Sequence, residues 1–451
     1  MKRRKFIKTS AIAASAGIGM PYFMSSKTAF ARSAAPMVDH VVLVLFAGGV
    51  RQQESVLQRY LADSQGETNI DGNILYNLFS GGAPSQKIVY GTDINGGVQG
   101  GQPIPKILSQ SLESQGTTFA EVAYSQGGTG HFSGLNTLLT GNYNFVQGLK
   151  ERPVNPTIFE YLRKYRSIPA SKVWFVGNGI GNSVPLLNYS THELFGADFG
   201  GNFLAPNITF GNPGENNIKN AKAYHPEEEL GPIYEMQFFL DNVFQFNAGT
   251  LNGVSNTDDE KHDIKEFIKT TFIKKDSGTI AFPPVNDNGD LSTMGYACEV
   301  MKWFEPTLTV INMNSIDSCH SSFTSYLRNL HRCDHGVGHI WNYIQTQIPA
   351  MSGNTMVLII PEHGRNLDPN PIIDGNNFKA FDHDSDPNSR RIFSMMAGPG
   401  IDANLVKGSE SNPIGDASDA LLTVADALGI KNEVISEGLI DGAAQSFFDQ
   451  I

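Results

Sequence analysis

Three short stretches of this 451-residue chain carry the residue types that bind divalent cations: Asp317-Ser318-Cys319-His320, Glu362-His363 and Asp382-His383-Asp384. Each sets a carboxylate beside an imidazole. Oxygen and nitrogen donors without clustered thiolates suit one or two divalent ions, Zn²⁺ or Mn²⁺/Ca²⁺, held for catalysis. Asp317, His320, Glu362, His363 and His383 are the candidate metal ligands. Such an ion polarises an ester oxygen and acidifies a bound water. Arg365 follows Glu362-His363-Gly364 at once. Its planar fork suits phosphate or sulfate oxygens, and a salt bridge to a nearby acid is its other use. Any one stretch alone reads as a solvated loop acid with a capping His; three at corresponding places favour a metal. Cys319 reads as packing more readily than as a soft ligand.

The elements that must position these residues are legible as apolar runs. Residues 356–360 (MVLII) end abruptly in Pro-Glu-His-Gly-Arg. A short apolar run with polar punctuation predicts a strand buried on both faces. Residues 41–46 (VVLVLF), 117–124 (TTFAEVAY), 172–176 (KVWFV), 307–312 (TLTVIN) and 392–397 (IFSMMA) read the same way. In an open α/β sheet, chemistry collects past the carboxyl ends of such strands. Helices are predicted at 157–166, capped by Asn155 with Pro156 at its first position, at 323–348, and at 416–428, stopped by Gly429. A glycine-rich loop covers 96–101. Strands separated by helices predict an α/β fold: a doubly wound, mostly parallel sheet with helices on both faces. Between 190 and 291 the pattern loosens, with helical pieces near 233–244 and 263–273. This stretch reads as an inserted cap or lid within one domain spanning 38–451.

The first 31 residues read as an export peptide. A basic block, Lys2-Arg3-Arg4-Lys5-Phe6-Ile7-Lys8, precedes a weakly apolar core and the Ala29-Phe30-Ala31 cleavage signal. The arginine pair resembles the twin-arginine (Tat) signal, which implies a periplasmic or secreted protein. Removing this segment takes away six Lys/Arg and leaves 27 basic against 45 acidic residues, a balance of −18. That acidity disfavours nucleic acid as a partner. No later run is long enough for an integral membrane span. Three cysteines, an odd and sparse set, make no disulfide framework.

The order of these pieces resembles the alkaline phosphatase superfamily, which includes sulfatases and nucleotide pyrophosphatase/phosphodiesterases. Leu138-Leu139-Thr140-Gly141 is similar to the family's turn downstream of its nucleophile. Residues 395–401 (MMAGPGI) and 423–430 (TVADALGI) are similar to its late segments. Within the superfamily the chain looks most like an uncharacterised twin-arginine-exported branch. The pieces that carry that likeness are Ala47-Gly48-Gly49, Gly130-His131-Phe132 and the three ligand stretches. The resemblance implies a sulfatase-like or phosphatase-like metal-binding hydrolase of bacterial type. Its substrate would be a small-molecule or glycan phosphate or sulfate ester. Two positions depart from the family's pattern. The first strand ends in Ala47-Gly48-Gly49, where catalytic relatives carry a metal-binding Asp. The nucleophile slot falls on His131, which could act as a nucleophile, as a ligand replacing the absent acid, or as a helix cap. Asp317 and His320 stand three apart instead of four. Glu54 is the nearest acid after the missing ligand. Two functions follow: a metal-dependent ester hydrolase, or a non-catalytic binding or scaffold protein that keeps the fold.

Overall fold

The computed structural model describes residues 35–61, 69–84, 103–144, 152–179, 186–215, 253–384 and 386–451. The export segment 1–31, the glycine-rich loop 96–101 and the helical piece near 233–244 lie outside the described residues.

Among the described residues ten strands are formed: β1 (His40–Phe46), β2 (Arg59–Leu61), β3 (Asn69–Asp71), β4 (Gly116–Ala123), β5 (Val173–Gly177), β6 (Asn202–Leu204), β7 (Leu308–Met313), β8 (Thr355–Pro361), β9 (Arg391–Ala397) and β10 (Leu405–Lys407). Strands β2 and β3 pair as a small antiparallel ribbon. The other eight form one sheet in the order β10-β4-β9-β8-β1-β7-β5-β6. Strand β1 lies parallel between β7 and β8. Alternating along it, Val42, Val44 and Phe46 enter one buried cluster, and Val41, Leu43 and Leu45 enter the other. This period of two, apolar on both sides, is what a strand covered on both faces requires. The helices supply the covers: α1 (His131–Thr140), α2 (Ile158–Arg166), α3 (Asp258–Asp276), α4 (Gly289–Phe304), α5 (Phe323–Gln347) and α6 (Asp419–Ala427). Residues of α3, α4 and α5 pack on the Val42 side, and those of α1, α2 and α6 on the Val41 side. The fold is therefore the two-faced, mostly parallel α/β sheet that the sequence predicts.

Strand β9 departs from the parallel rule, running antiparallel to both β8 and β4. An apolar run does not encode direction. The reversal matters for the site, because the beginning of β9 lies at the edge where β8 ends. The segment carrying His383 is thereby returned to the ends of β7 and β8. At α2 the cap is Thr157, not Asn155 or Pro156. The Glu160 carboxylate accepts both the Thr157 backbone N–H, at 2.6 Å, and its hydroxyl, at 2.8 Å. The Thr-x-x-Glu capping box outcompetes the Asn-Pro start. The closing helix begins at Asp419, since Asp416 is taken up by the Tyr143 hydroxyl and Ser418. Within 190–291, β6 is the sheet's edge strand. Helix α3 buries Ile264, Phe267, Ile268 and Phe272 in the core. Both flanks of this stretch are thus built into the main unit. Residues 216–252 lie outside the described residues.

Candidate metal centre

The sheet brings all of the candidate ligands to one edge. Past β7, Ser315–His320 forms a 3-10 turn. With three residues per turn, side chains three apart eclipse one another. That explains how Asp317 and His320 act together at a spacing of three: His320 Nε2 is 3.3 Å from Asp317 Oδ1. Past β8 come Glu362 and His363, both fully buried, with His363 Nε2 3.0 Å from Glu362 Oε1. His131, first residue of α1, stands between the two pairs. Its Nε2 is 3.2 Å from Asp317 Oδ1, and its Nδ1 is 2.6 Å from Glu362 Oε1. His383 completes the group, its ring centroid 4.7 Å from that of His320, 4.2 Å from His363 and 4.9 Å from His131. The Thr129 hydroxyl donates to the His383 carbonyl and anchors it.

These residues make two ligand sets that share one member. His131, Asp317, His320 and His383 form the first; His131, Glu362 and His363 form the second. Two buried atoms of these residues have no hydrogen-bond partner, Glu362 Oε2 and His383 Nδ1, and His363 Nε2 has only the Glu362 carboxylate beside it. Leaving a buried polar atom unpaired costs about 1–3 kcal/mol. Such atoms, beside two ligand sets, fit a site that could hold a cation.

The electrostatics agree. Burial pushes the Asp317 carboxyl up, but hydrogen bonds from His131 and His320 and the charge of Arg365 outweigh it and hold it well below the usual range. Glu362 behaves likewise: burial raises it, the His131 and His363 imidazoles outweigh that, and the result is about 2. Burial lowers His131, but Glu362 and Asp317 overcome it and lift the imidazole to about 10. His383 is lowered to about 2 by burial, then by the charges of His363, Arg365, His131 and His320. Burial likewise lowers His363. The site thus offers two ionised carboxylates and two imidazoles, His363 and His383, that burial keeps unprotonated, donor types that suit a divalent ion. Burial pushes the Cys319 thiol up to about 12, so it stays protonated and packs in the core.

Arg365 is fully buried and its fork is spent on the protein. Nε donates to Gly49 O at 3.3 Å, Nη1 to Phe381 O at 2.8 Å and Nη2 to Asp317 Oδ1 at 2.8 Å. Of its two uses open in the sequence, this geometry contains the ion pair and not an exposed oxyanion fork. In the first-strand turn, Gly48 and Gly49 leave no room for a side chain. Gly48 and Gly49 have φ of +111° and +76°. A Cβ on Gly48 would stand 2.5 Å from the Asp317 backbone nitrogen, and one on Gly49 2.4 Å from His363 Nδ1. Only glycine lets this turn pass so close to both ligands. The strand contributes a backbone donor instead, Gly48 N to Glu362 Oε1 at 2.5 Å. Glu54 does not compensate for the missing acid. It lies buried against Arg51, 3.3 Å away, outside both ligand sets.

Two supporting residues had no role assigned from the sequence. Asp382 Oδ1 is 2.6 Å from His320 Nδ1 and directs Nε2 toward Asp317; its position next to His383 was the available clue. Buried Asp290 accepts the backbone N–H groups of Asn314 and Ser315, at 3.0 and 2.9 Å, and so fixes the turn that carries Asp317. A lone Asp near the start of a helix carries no mark of that.

No family profile matches the chain, and no curated protein matches it. Solved structures do. A protein in the alkaline phosphatase superfamily from Vibrio parahaemolyticus is 12% identical with a TM-score of 0.38, over 95% of this chain and 76% of that one. A mutant form of alkaline phosphatase PafA is 12% identical with a TM-score of 0.44, over 88% and 96%. Murine ectonucleotide pyrophosphatase/phosphodiesterase 5 is 10% identical with a TM-score of 0.42, over 91% and 98%. These similar structures come from the superfamily that the sequence motifs resemble. The role of each residue rests on this chain's own geometry.

Proposed function

We propose that this chain is a metal-dependent hydrolase of a phosphate or sulfate ester, exported to the periplasm or beyond. The observation that carries this reading is the pair of ligand sets, His131, Asp317, His320 and His383 with His131, Glu362 and His363, in which buried Glu362 Oε2 and His383 Nδ1 have no hydrogen-bond partner. His131, Asp317, His320 and His383 would hold a divalent ion, with a second position at Glu362 and His363, and such an ion would supply Lewis-acid polarisation of the ester.

The chain's own residues do the rest. Helix α1 begins at His131, and no side chain caps its first turn. The backbone amides and dipole of that turn favour anionic ester oxygens beside the ligands. Asp382 keeps the proton of His320 on Nδ1 and leaves Nε2 to face the cluster. Arg365 holds Asp317 ionised and in place, and Thr129 holds His383. With both nitrogens of His131 engaged by Asp317 and Glu362, a water would serve as nucleophile. The stretch 190–291 selects the substrate, a small molecule or a glycan carrying the ester. Residues 1–31 direct export by the twin-arginine route. No described helix is long and apolar enough to cross a membrane.

A second reading has a specific observation in its favour. The first strand offers no acid and residue 131 no hydroxyl, so the chain could bind a ligand without turning it over. A panel of nitrophenyl phosphate and sulfate esters separates the two. Metal-dependent release of nitrophenol that a chelator abolishes supports the hydrolase. Metal-loaded protein that turns over no ester supports the binding protein.

A further inference from the structure

Away from the metal centre, residues 76–81 and 106–114 enclose a cavity of about 310 Å³. One wall leads into Gly116, where β4 begins. Gly116 stands opposite Ala397, the last residue of β9, and Ala123 opposite Arg391, the first. The metal centre lies at the Arg391 end, so the wall is a strand of eight residues away, about 26 Å. Both stretches are tied to α5 by buried polar groups. His331 Nδ1 donates to the Ile74 carbonyl at 2.6 Å, and its Nε2 accepts the Ile104 N–H at 2.8 Å. Asp334 accepts the N–H groups of Asn77 and Leu78, at 2.9 and 2.8 Å. Asn77 Oδ1 in turn accepts those of Ile107 and Leu108, at 2.9 and 3.0 Å. A buried carboxylate and a buried imidazole thus fix the cavity before any ligand arrives.

The lining combines three kinds of group. The hydroxyls of Ser80, Ser111 and Ser114 form a closed triangle, with Ser80–Ser111 at 2.8 Å, Ser80–Ser114 at 3.0 Å and Ser111–Ser114 at 2.9 Å. In such a ring each oxygen donates once and accepts once. Ser111 spends its other lone pair on the Ser114 N–H, at 3.3 Å, while Ser80 and Ser114 keep theirs for a ligand's hydroxyls. Buried Phe79 gives an apolar floor, and Tyr76 and Gln110 add groups that both donate and accept. Lys106 supplies the charge, its ammonium held at the rim by the Ser109 carbonyl, 3.2 Å away. No carboxylate lines the cavity or pairs with Lys106 among the described residues. Nearby Glu113 is spent on the Ser80 N–H, at 2.9 Å. In a chain with 45 acidic against 33 basic residues, that leaves a cation for a ligand's anion.

We propose that this cavity binds a sugar unit carrying one anionic group, a sulfate, a phosphate or a carboxylate. The ring lies on Phe79, its hydroxyls donate to Ser80 and Ser114, and its anion meets Lys106. The volume is at the small end of ligand pockets and suits one such unit. A further consequence rests on the hydrolase reading. On a polymeric glycan, a unit gripped here leaves another at the metal centre, so the chain favours polymers over free sugars.

The test is a calorimetric titration of the full-length protein with a chelator present, so that the metal centre takes no part. The probes are glucose 6-sulfate, glucose 6-phosphate, glucuronate, glucose and inorganic sulfate. Saturable binding of at least one anionic sugar is expected, about tenfold or more tighter than glucose or inorganic sulfate. Which of the three binds identifies the anion. Lys106→Met, a change at an exposed side chain, should weaken that binding about tenfold or more, and Ser114→Ala by a smaller factor. Both variants should turn over a nitrophenyl ester as the parent does. No saturable binding, or binding that Lys106→Met leaves unchanged, overturns the proposal. Glucose bound as tightly removes the anion's role, and inorganic sulfate bound as tightly removes the sugar's; either result overturns it too. A protein that binds the anionic sugar but turns over no nitrophenyl ester keeps the cavity's role and loses the hydrolase reading.

Discussion

Asp382 Oδ1 and His320 Nδ1 meet at 2.6 Å across 62 residues of chain. The contact fixes which nitrogen of His320 carries the proton and leaves Nε2 to point at Asp317. Outer carboxylates of this kind typically change metal affinity 10–100-fold. Asp382→Asn is therefore expected to weaken metal binding by roughly that factor while the melting temperature of the metal-free protein stays put. Competition with a chromophoric chelator measures it. Unchanged affinity would show that Asp382 does not orient His320.

Arg365 is expected to act on stability before it acts on substrate. Its guanidinium is buried with three acceptors, one of them the Asp317 carboxylate. Arg365→Met leaves Asp317 and two carbonyls without their donor, a loss of about 3 kcal/mol. Denaturant unfolding reads that loss. A variant of native stability with a raised KM for the ester would instead make Arg365 a substrate-binding fork.

Gly49→Ala tests the close approach of the first-strand turn. The added Cβ meets His363 Nδ1 at 2.4 Å in a backbone with φ of +76°. Backbone strain alone costs about 1–3 kcal/mol, and His363 must move. The expectation is a lower unfolding midpoint together with loss of the ion at the Glu362 and His363 position. A variant that keeps both would mean that the turn tolerates a side chain.

Glu54 gives the fold a pH dependence away from the metal centre. Burial raises its carboxyl to about 7, against the opposing pull of Arg51. A raised acid pKa means that the folded state holds the proton more tightly than the unfolded chain. Its stabilising effect is whole below about 4.5 and is lost as pH rises through about 7. At about 1.4 kcal/mol per unit, the ceiling is about 3 kcal/mol. Glu54→Gln should flatten the stability profile between pH 4.5 and 7. A profile as steep as the parent's would remove Glu54 as its source.

The central strands were legible because residues such as Val41–Leu45 and Met356–Ile360 are apolar on both faces, which few other settings require. The direction of β9 was not, since Ile392 and Met395 would be equally apolar in either sense. Strands β6 and β10, three residues each, are too short to show a period. The ligands were legible as residue types at strand ends. Their sharing of His131 was not, because the contact to Glu362 spans 231 residues and depends on where α1 begins. Likewise the sequence showed that Ala47-Gly48-Gly49 lacks an acid. That Asp317 and His363 press against Gly48 and Gly49 shows only in three dimensions.

The central claim is that Asp317, His320, Glu362, His363 and His383, with His131, form a metal centre. Elemental analysis of protein purified without chelators or added metal addresses it most directly. One or two equivalents of a divalent ion per chain are expected, falling in His383→Ala. A metal-free protein that melts at its native temperature and takes up no ion on addition would show that these residues are not a metal centre.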